Sequence, residues 1–394
     1  MGGRHKRLGL TGPAGLLVAG WLGVLVSVIV AQVPPGWEII QITDDPYYDG
    51  VPAINDCGQI AFQKRLGDDW PASEIFVWDN GTIIRITDDN VGDGPPDIAD
   101  DGTIAWSRKS GPNNTLEIVI YRDGILAPLT NNEVDDLAAN INNLGHIAWN
   151  SYNGTGCAGS DIHFFDGSSI EQLTDNAYSN QSPIMNDFDH TTWTQYNFCV
   201  SPWVSTIMLG DPGPTHMLTD GLTRAAGGRI NNLEQITWQG ETGVALWESG
   251  TTVELTDWGS NPDINDLGLV VFSRWHEDIL AYQIWTWRAG LLRRITLEGV
   301  WNLTGRINNS SEIVWQRGYF PNVDLLLLTW TTGNADRDED GDVDLPDASL
   351  VLSCIAYPPT SADPCRCHRA DLNHDNTTDF RDFALLQINF TGAH

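Results

Sequence analysis

The chain has 394 residues, with 52 Asp and Glu against 21 Lys and Arg, for a formal net charge of −31. A polyanion of this kind gains nothing from counterion release, which excludes nucleic acid and anionic membrane surfaces as partners. The charge is not a sign of disorder, because 41% of the residues are hydrophobic and 17 are tryptophan.

The chain opens with Arg4, Lys6 and Arg7, followed by a continuous apolar run from Leu16 to Val30. Ile29 and Ala31 then stand at the −3 and −1 positions of a cleavage site, so residues 1–31 read as a secretory signal peptide. The alternative is a membrane anchor, but the run falls short of the roughly 20 residues that cross a bilayer. No later segment is a candidate span. Secretion, and an extracellular or cell-envelope location, are the expectation.

From residue 37 a phrase recurs: an aliphatic residue, Asn-Asp or Asn-Asn, a turn residue, and a strand ending in Trp or Phe. It runs Ile54 to Phe62, Ile98 to Trp106, Ile141 to Trp149, Met185 to Trp193, Ile230 to Trp238, Ile264 to Phe272 and Ile307 to Trp315. Successive starts are 44, 43, 44, 45, 34 and 43 residues apart. A second phrase, Ile/Leu-Thr and usually Asp, alternates with it at Thr43, Thr87, Thr130, Thr174, Thr219, Thr256 and Thr296. Each threonine precedes the next anchor by 11 residues in six repeats and 8 in one, which implies a fixed loop. Four short strand signals fit in each repeat, separated by turn signals such as Asp79-Asn80-Gly81. Four strands in about 43 residues is the pattern of a propeller blade.

Pro52 and the stretch Asp56 to Phe62 carry a resemblance to the WD40-like, TolB-type repeats, which covers residues 37–331. It implies an all-β, seven-bladed β-propeller and brings no activity with it. The sequence departs from the family in using Asn-Asp or Asn-Asn at the turn. Trp37 to Thr43 matches a fourth strand with no blade before it, and the last repeat lacks one. The N-terminal strand is therefore expected to complete the seventh blade and protect the sheet edges.

Past a linker at 331–335, Asp336, Asp338, Asp340, the carbonyl of Asp342, Asp344 and Asp347 occupy positions 1, 3, 5, 7, 9 and 12 of a calcium loop, with Gly341 at 6. A second copy supplies Asp371, Asn373, Asp375, Thr377, Asp379 and Asp382. Asn376 replaces the glycine there, so this loop should bind Ca2+ more weakly. Helix-like runs follow at 348–357 and 383–390. This duplicated loop-helix resembles a type I dockerin over Asp336 to Phe390, including aspartate at position 12. The expected domain is a small α-helical, dockerin-like calcium-binding module at 333–394. Dockerins dock onto cohesins through loop positions 10 and 11, often Ser-Thr. Here those are Leu345-Pro346 and Phe380-Arg381, so another extracellular or an intramolecular partner stands beside a cohesin-like one.

The six cysteines suit an exported chain. Cys354 can bridge to Cys365 or Cys367, and Cys157 to Cys199. Cys365-Arg366-Cys367 has no second pair to make a zinc site. Repeated tryptophans at equivalent strand positions imply packing between blades. The irregular aromatics Trp70, Tyr152, Tyr196, Trp203, Trp275 and Tyr319 fall in long loops. These loops share a face with Asp44, Asp45, Asp88, Asp89, Asp135 and Asp136, a rim suited to a glycan or a cationic ligand. No catalytic motif is present; His146 and His190 occupy equivalent turns. The sequence thus points to a secreted, non-catalytic binding or scaffold protein, with the calcium module docking or stabilising. The alternative is a polysaccharide-degrading enzyme, a glycoside hydrolase or lyase, which needs two carboxylates about 5–10 Å apart at the central channel.

Overall fold

The computed structural model describes residues 33, 36–67, 73–89, 91–155, 158–210, 215–222, 224–331, 343, 345–356, 365, 367–375 and 377–389. The expected signal peptide lies outside them. Among the described residues no helix is long and apolar enough to cross a membrane.

The repeats form antiparallel units of four strands in chain order. In the first they are Tyr48–Ile54, Ile60–Arg65, Ser73–Asp79 and Thr82–Arg85. Among the described residues five sheets have four strands each, and a sixth has eight. The eight-stranded sheet joins the first unit to the last by a single parallel pair, Tyr48 with Val323. The strand Trp37–Gln41 pairs antiparallel with Asn322–Trp330, from Trp37 opposite Trp330 to Gln41 opposite Leu326. The chain's first strand therefore supplies the outer edge of its last sheet.

Each unit is too thin to bury its own apolar side, and the hydrophobic clusters lie between neighbours. Ile75 and Val77 of the first unit pack with Ile104 and Trp106 of the second. Val314 and Leu325 of the last pack with Ile60 and Phe62 of the first. Trp106, Trp149, Trp193 and Trp315 are all buried, so each needs a partner for its indole N–H. Trp106, Trp149, Trp193 and Trp315 donate to Asp93, Asp136, Asn180 and Asn302 at 2.8–3.1 Å, in each case the residue 13 positions earlier. The recurrent threonine also has a physical reason. The hydroxyls of Thr43, Thr87, Thr130, Thr174, Thr219 and Thr296 accept from a third-strand amide at 2.9–3.2 Å, taking over the ladder where the fourth strand ends.

The innermost strands carry a bulge at one shared place. Val51, Ala138, Ser182, Gly227, Asn261 and Thr304 have φ of 44–69° there. Only the glycine adopts this conformation freely, so the bulge is imposed by the ring rather than chosen by local sequence. The second unit has Pro95-Pro96 at that place and an innermost strand of only Asp97–Ile98.

Among the described residues two α-helices follow the sheets, α1 (Leu345–Ala356) and α2 (Phe380–Asn389). Both begin three residues before the expected runs, which brings Asp347 and Asp382 into their first turns. Carboxylates are favourable there, facing the helix dipole and the unpaired amides. The helices share a small core with Val343, Val351, Cys354, Cys367, Leu372 and Leu386.

Candidate functional site

Up-and-down order places every first-to-second strand turn at one end of the ring and every second-to-third strand loop at the other. The turn end is a circuit of hydrogen bonds. The amide of Asp56 donates to Oδ1 of Asp100, Asp100 to Asn143, Asn143 to Asp187, Asp187 to Asn232, Asn232 to Asp266, Asp266 to Asn309, and Asn309 back to Asp56. These bonds measure 2.7–2.9 Å. The preceding asparagines form a second circuit. Asn55, Asn142, Asn186, Asn231, Asn265 and Asn308 each donate a side-chain N–H to the carbonyl of the next turn at 2.9–3.1 Å. Ala99 is the one gap in it. The Asn-Asp and Asn-Asn phrases are thus the joints between units.

This circuit surrounds a polar cavity of about 180 Å³. Asn232 donates to both Asp187 and Asp266 at 2.9 and 3.0 Å, and Asn309 to both Asp56 and Asp266 at 2.9 Å. Burial, then the neighbouring Asp266 and Asp187, pushes Asp56 up to about 6 against the hydrogen bonds from Asn309. Next along the innermost strands stand Asp97, Arg229, Asp263 and Arg306, which interact across units. Burial raises the Asp97 carboxyl and, with Arg229, pulls Arg306 down to about 10. The channel is polar and charged, neither empty nor hydrophobic. His146 and His190 belong to the same joints, contacting Asp189 at 2.8 Å and Glu234 at 2.6 Å.

The C-terminal segment sits on the turn end where the first and last units meet. Cys57 is disulfide-bonded to Cys365, a pairing not anticipated from the sequence, and Cys354 is bonded to Cys367. Cys57 fills a turn position occupied elsewhere by Asp101, Leu144, Phe188, Leu233, Leu267 and Ser310. Its isolation among the repeats was the available signal. Cys199 is also disulfide-bonded, while its expected partner Cys157 lies outside the described residues. His368 Nε2 meets Glu312 Oε2 at 3.1 Å, and Thr329 and Asn308 donate to the same carboxylate. These partners overcome burial and hold Glu312 down at about 2. Its place, deep under the C-terminal segment, gave no sequence signal.

Of the expected calcium ligands, Asp336, Asp338, Asp340, Asp342 and Asp344 lie outside the described residues. Asp347 is fully buried. In the second loop Asp382 folds back to accept from the amides of Leu372, Asn373 and Asp379 at 2.8, 3.2 and 2.7 Å. Asp371 and Asn373 accept from the Asp375 amide at 3.2 and 2.9 Å. Thr377 hydrogen-bonds Asp375 and lowers its carboxyl. The donor set is all oxygen, the chemistry a hard cation takes. Among the described residues no group of three or more His, Cys, Asp or Glu is gathered closely enough to hold a metal ion. At positions 10 and 11, Phe380 and Arg381 are both exposed.

The loop end carries open aromatic surface. Tyr196, Phe198 and Trp203 cluster at 5.3–6.1 Å, with the Arg224 guanidinium 4.1 Å above Trp203. Trp275, Tyr282, Trp301 and Tyr319 form a chain with centroids 5.2–5.7 Å apart. A cavity of about 670 Å³ opens beside Trp258, Trp275 and Trp285. One member of the acidic rim is a correction to the sequence reading. Asp136 is fully buried under Trp149, and Asp45 and Asp89 are paired with Lys64 and Arg108. Asp135 accepts from the Leu116 amide, and Asp88 pairs with Arg85 at 2.7 Å. Asp136 is thus removed from the rim, while Lys64, Arg85 and Arg108 are each shared between two carboxylates and leave it acidic. Trp70 lies outside the described residues.

No family model matches the chain, and no curated protein does. Solved structures do. The β-propeller domain of the Trilobed protease from Pyrococcus furiosus matches with a TM-score of 0.55 at 12% identity, over 72% of this chain and 95% of that one. The fold is a β-propeller. Virginiamycin B lyase from Staphylococcus aureus matches the propeller at TM-score 0.52 and 13% identity, over 75% of this chain and 99% of that one. The acylaminoacyl peptidase of Pyrococcus horikoshii matches at TM-score 0.52 and 15% identity, over 71% of this chain. The chain spans 51% of that peptidase's length. At these identities the likeness concerns the propeller fold alone.

Proposed function

We propose that the chain is an exported, non-catalytic binding protein. Its seven-bladed propeller, closed by the N-terminal strand, is the interaction platform, and a dockerin-like calcium module stabilises that platform. The observation that carries this reading is the division of the ring. The C-terminal segment is tied by Cys57–Cys365 to the turn end, which leaves the aromatic loop end open for a ligand. The carboxylates at the channel mouth, Asp56, Asp187 and Asp266, are engaged by asparagine amides, which favours binding over glycan cleavage. Glycan-array binding by the full chain, followed by a hydrolysis assay on each glycan bound, tests it. Binding without turnover is expected; turnover would sink the non-catalytic reading.

Ca2+ would be held by Asp336, Asp338, Asp340, the Asp342 carbonyl, Asp344 and Asp347 in one loop. Asp371, Asn373, Asp375, Thr377, Asp379 and Asp382 would hold it in the other. Its contribution is charge neutralisation within each loop, coupling ion binding to folding of the helices. EDTA should lower the thermal midpoint of the full chain, and added Ca2+ should restore it. Identical melts in both would reject the calcium assignment. Exposed Phe380 and Arg381 leave a surface for a cohesin-like or other extracellular partner.

A further inference from the structure

The cavity beside Trp258 lies between the fifth and sixth blades, bounded by the loops 240–243, 257–260 and 276–278. Its size, about 670 Å³, falls in the range of small-ligand sites, roughly 300–1,000 Å³. Two of its aromatic faces are open to solvent: Trp258 is 69% exposed and Trp275 is 37% exposed. Trp275 is also the first ring of the aromatic chain that continues to Tyr319 on the seventh blade.

The charges narrow the ligand. Arg274 is paired with Asp257 at 2.9 Å, so neither is a free counter-ion. The guanidiniums of Arg274 and Arg294 stand 5.2 and 5.7 Å from the Trp285 ring and already use its π-faces for cation contact. Glu241, Glu277 and Asp278 leave the remaining border acidic, which repels polyuronates and sulfated chains. What fits is a molecule with apolar faces for tryptophan and hydroxyls for the charged rim, but with no net charge.

We propose that this cavity binds an uncharged saccharide chain, which stacks on Trp258 and Trp275 and extends along the aromatic chain toward Tyr319. The inference rests on the binding-platform reading and gives it a site and a ligand class.

Isothermal titration of the full chain with cellohexaose, xylohexaose and mannohexaose tests the proposal, with oligogalacturonate and chitosan hexamer as charged comparisons. At least one neutral oligomer should bind and the uronate should not. Trp275→Ala and Trp258→Ala should each weaken binding by about tenfold or more, equivalent to about 1.4 kcal/mol. Ile125→Ala, on the exposed fourth strand of the second blade, should leave it unchanged. Thermal melts of each variant check that the ring remains folded. The proposal is overturned if no neutral oligomer binds at millimolar concentration, if a charged oligomer binds better, or if the Trp275 and Trp258 variants bind as the parent does. None of these results touches the broader reading, which falls only if the chain turns over what it binds or binds nothing on the array.

Discussion

At the turn end of the propeller, Asp56, Asp100, Asn143, Asp187, Asn232, Asp266 and Asn309 do the same task in blade after blade, and each is engaged by its neighbour. At the loop end, Trp203, Trp258, Trp275 and Tyr319 follow no repeat, and each leaves over a third of its surface exposed. Every first-to-second strand turn has the same length, whereas the connections at the loop end vary, so the ends differ in both length and chemistry. Periodic polar residues are joints. Aperiodic aromatics with open faces are surface available to something else. Repetition and solvent exposure together sort structure from candidate function, where conserved-looking composition alone does not.

The largest break in the comparison should come at the turn end. Cys57→Ser opens a cross-link spanning 308 residues, which chain entropy values at about 5 kcal/mol. Urea denaturation of the oxidised parent and the variant measures it, and a loss under about 1 kcal/mol would show that the clasp is ornamental.

Acid should act next. Asp56 keeps its proton up to about pH 6 in the folded ring, whereas an ordinary carboxyl loses it near 3.8. The folded state therefore binds more protons between these values, and stability rises as pH falls from 7 toward 4.5. Asp49 and Asp93, also raised to about 6 by burial, add in the same direction. Glu312, held at about 2 against an ordinary 4.5, works oppositely. Its stabilisation is intact above pH 4.5 and disappears as pH falls from there to 2. Melts in EDTA across pH 7 to 3 should pass through a maximum between 4 and 5; a steady decline from pH 7 would contradict the buried-carboxyl account.

Smaller effects sharpen the contrast. Trp149→Phe removes the indole N–H from buried Asp136 and should cost about 2 kcal/mol. Ala99→Asn supplies the missing member of the inner circuit and should add about 1 kcal/mol. At the opposite end, Trp258→Ala should change stability by no more than about 0.5 kcal/mol. If Trp258→Ala cost as much as Trp149→Phe, the two ends would not differ as described.

Much of the propeller could be read from the sequence. The recurring anchors foretold the four-stranded units, and the unpartnered Trp37–Gln41 strand foretold the pair with Asn322–Trp330. Both are local patterns, because strand and turn signals act within a few residues. What could not be read locally was where the turn side chains reach. Asn55 meets Ala99 44 residues on, and Asn308 meets Asn55 253 residues back. Only placing the repeats in a ring makes those partners adjacent. The constant 13-residue offset from Asp136 or Asn180 to its tryptophan was present in the sequence. Read as a hydrogen bond, it would have taken Asp136 off the rim. The aromatic surface was found by its irregularity, although Tyr152, Tyr196, Trp275 and Tyr319 lie in second strands rather than in the expected loops. Trp258 and the cavity beside it were not found, since they depend on how the fifth and sixth blades meet.

The bond between Cys57 and Cys365 has a consequence for survival among proteases. Most of the chain lies between those two sulfurs. A single nick in any intervening loop produces two fragments that stay covalently attached, and the strand ladders keep them in register. Cleaved molecules should migrate as one species until a reductant is added, and should go on displaying the same surface.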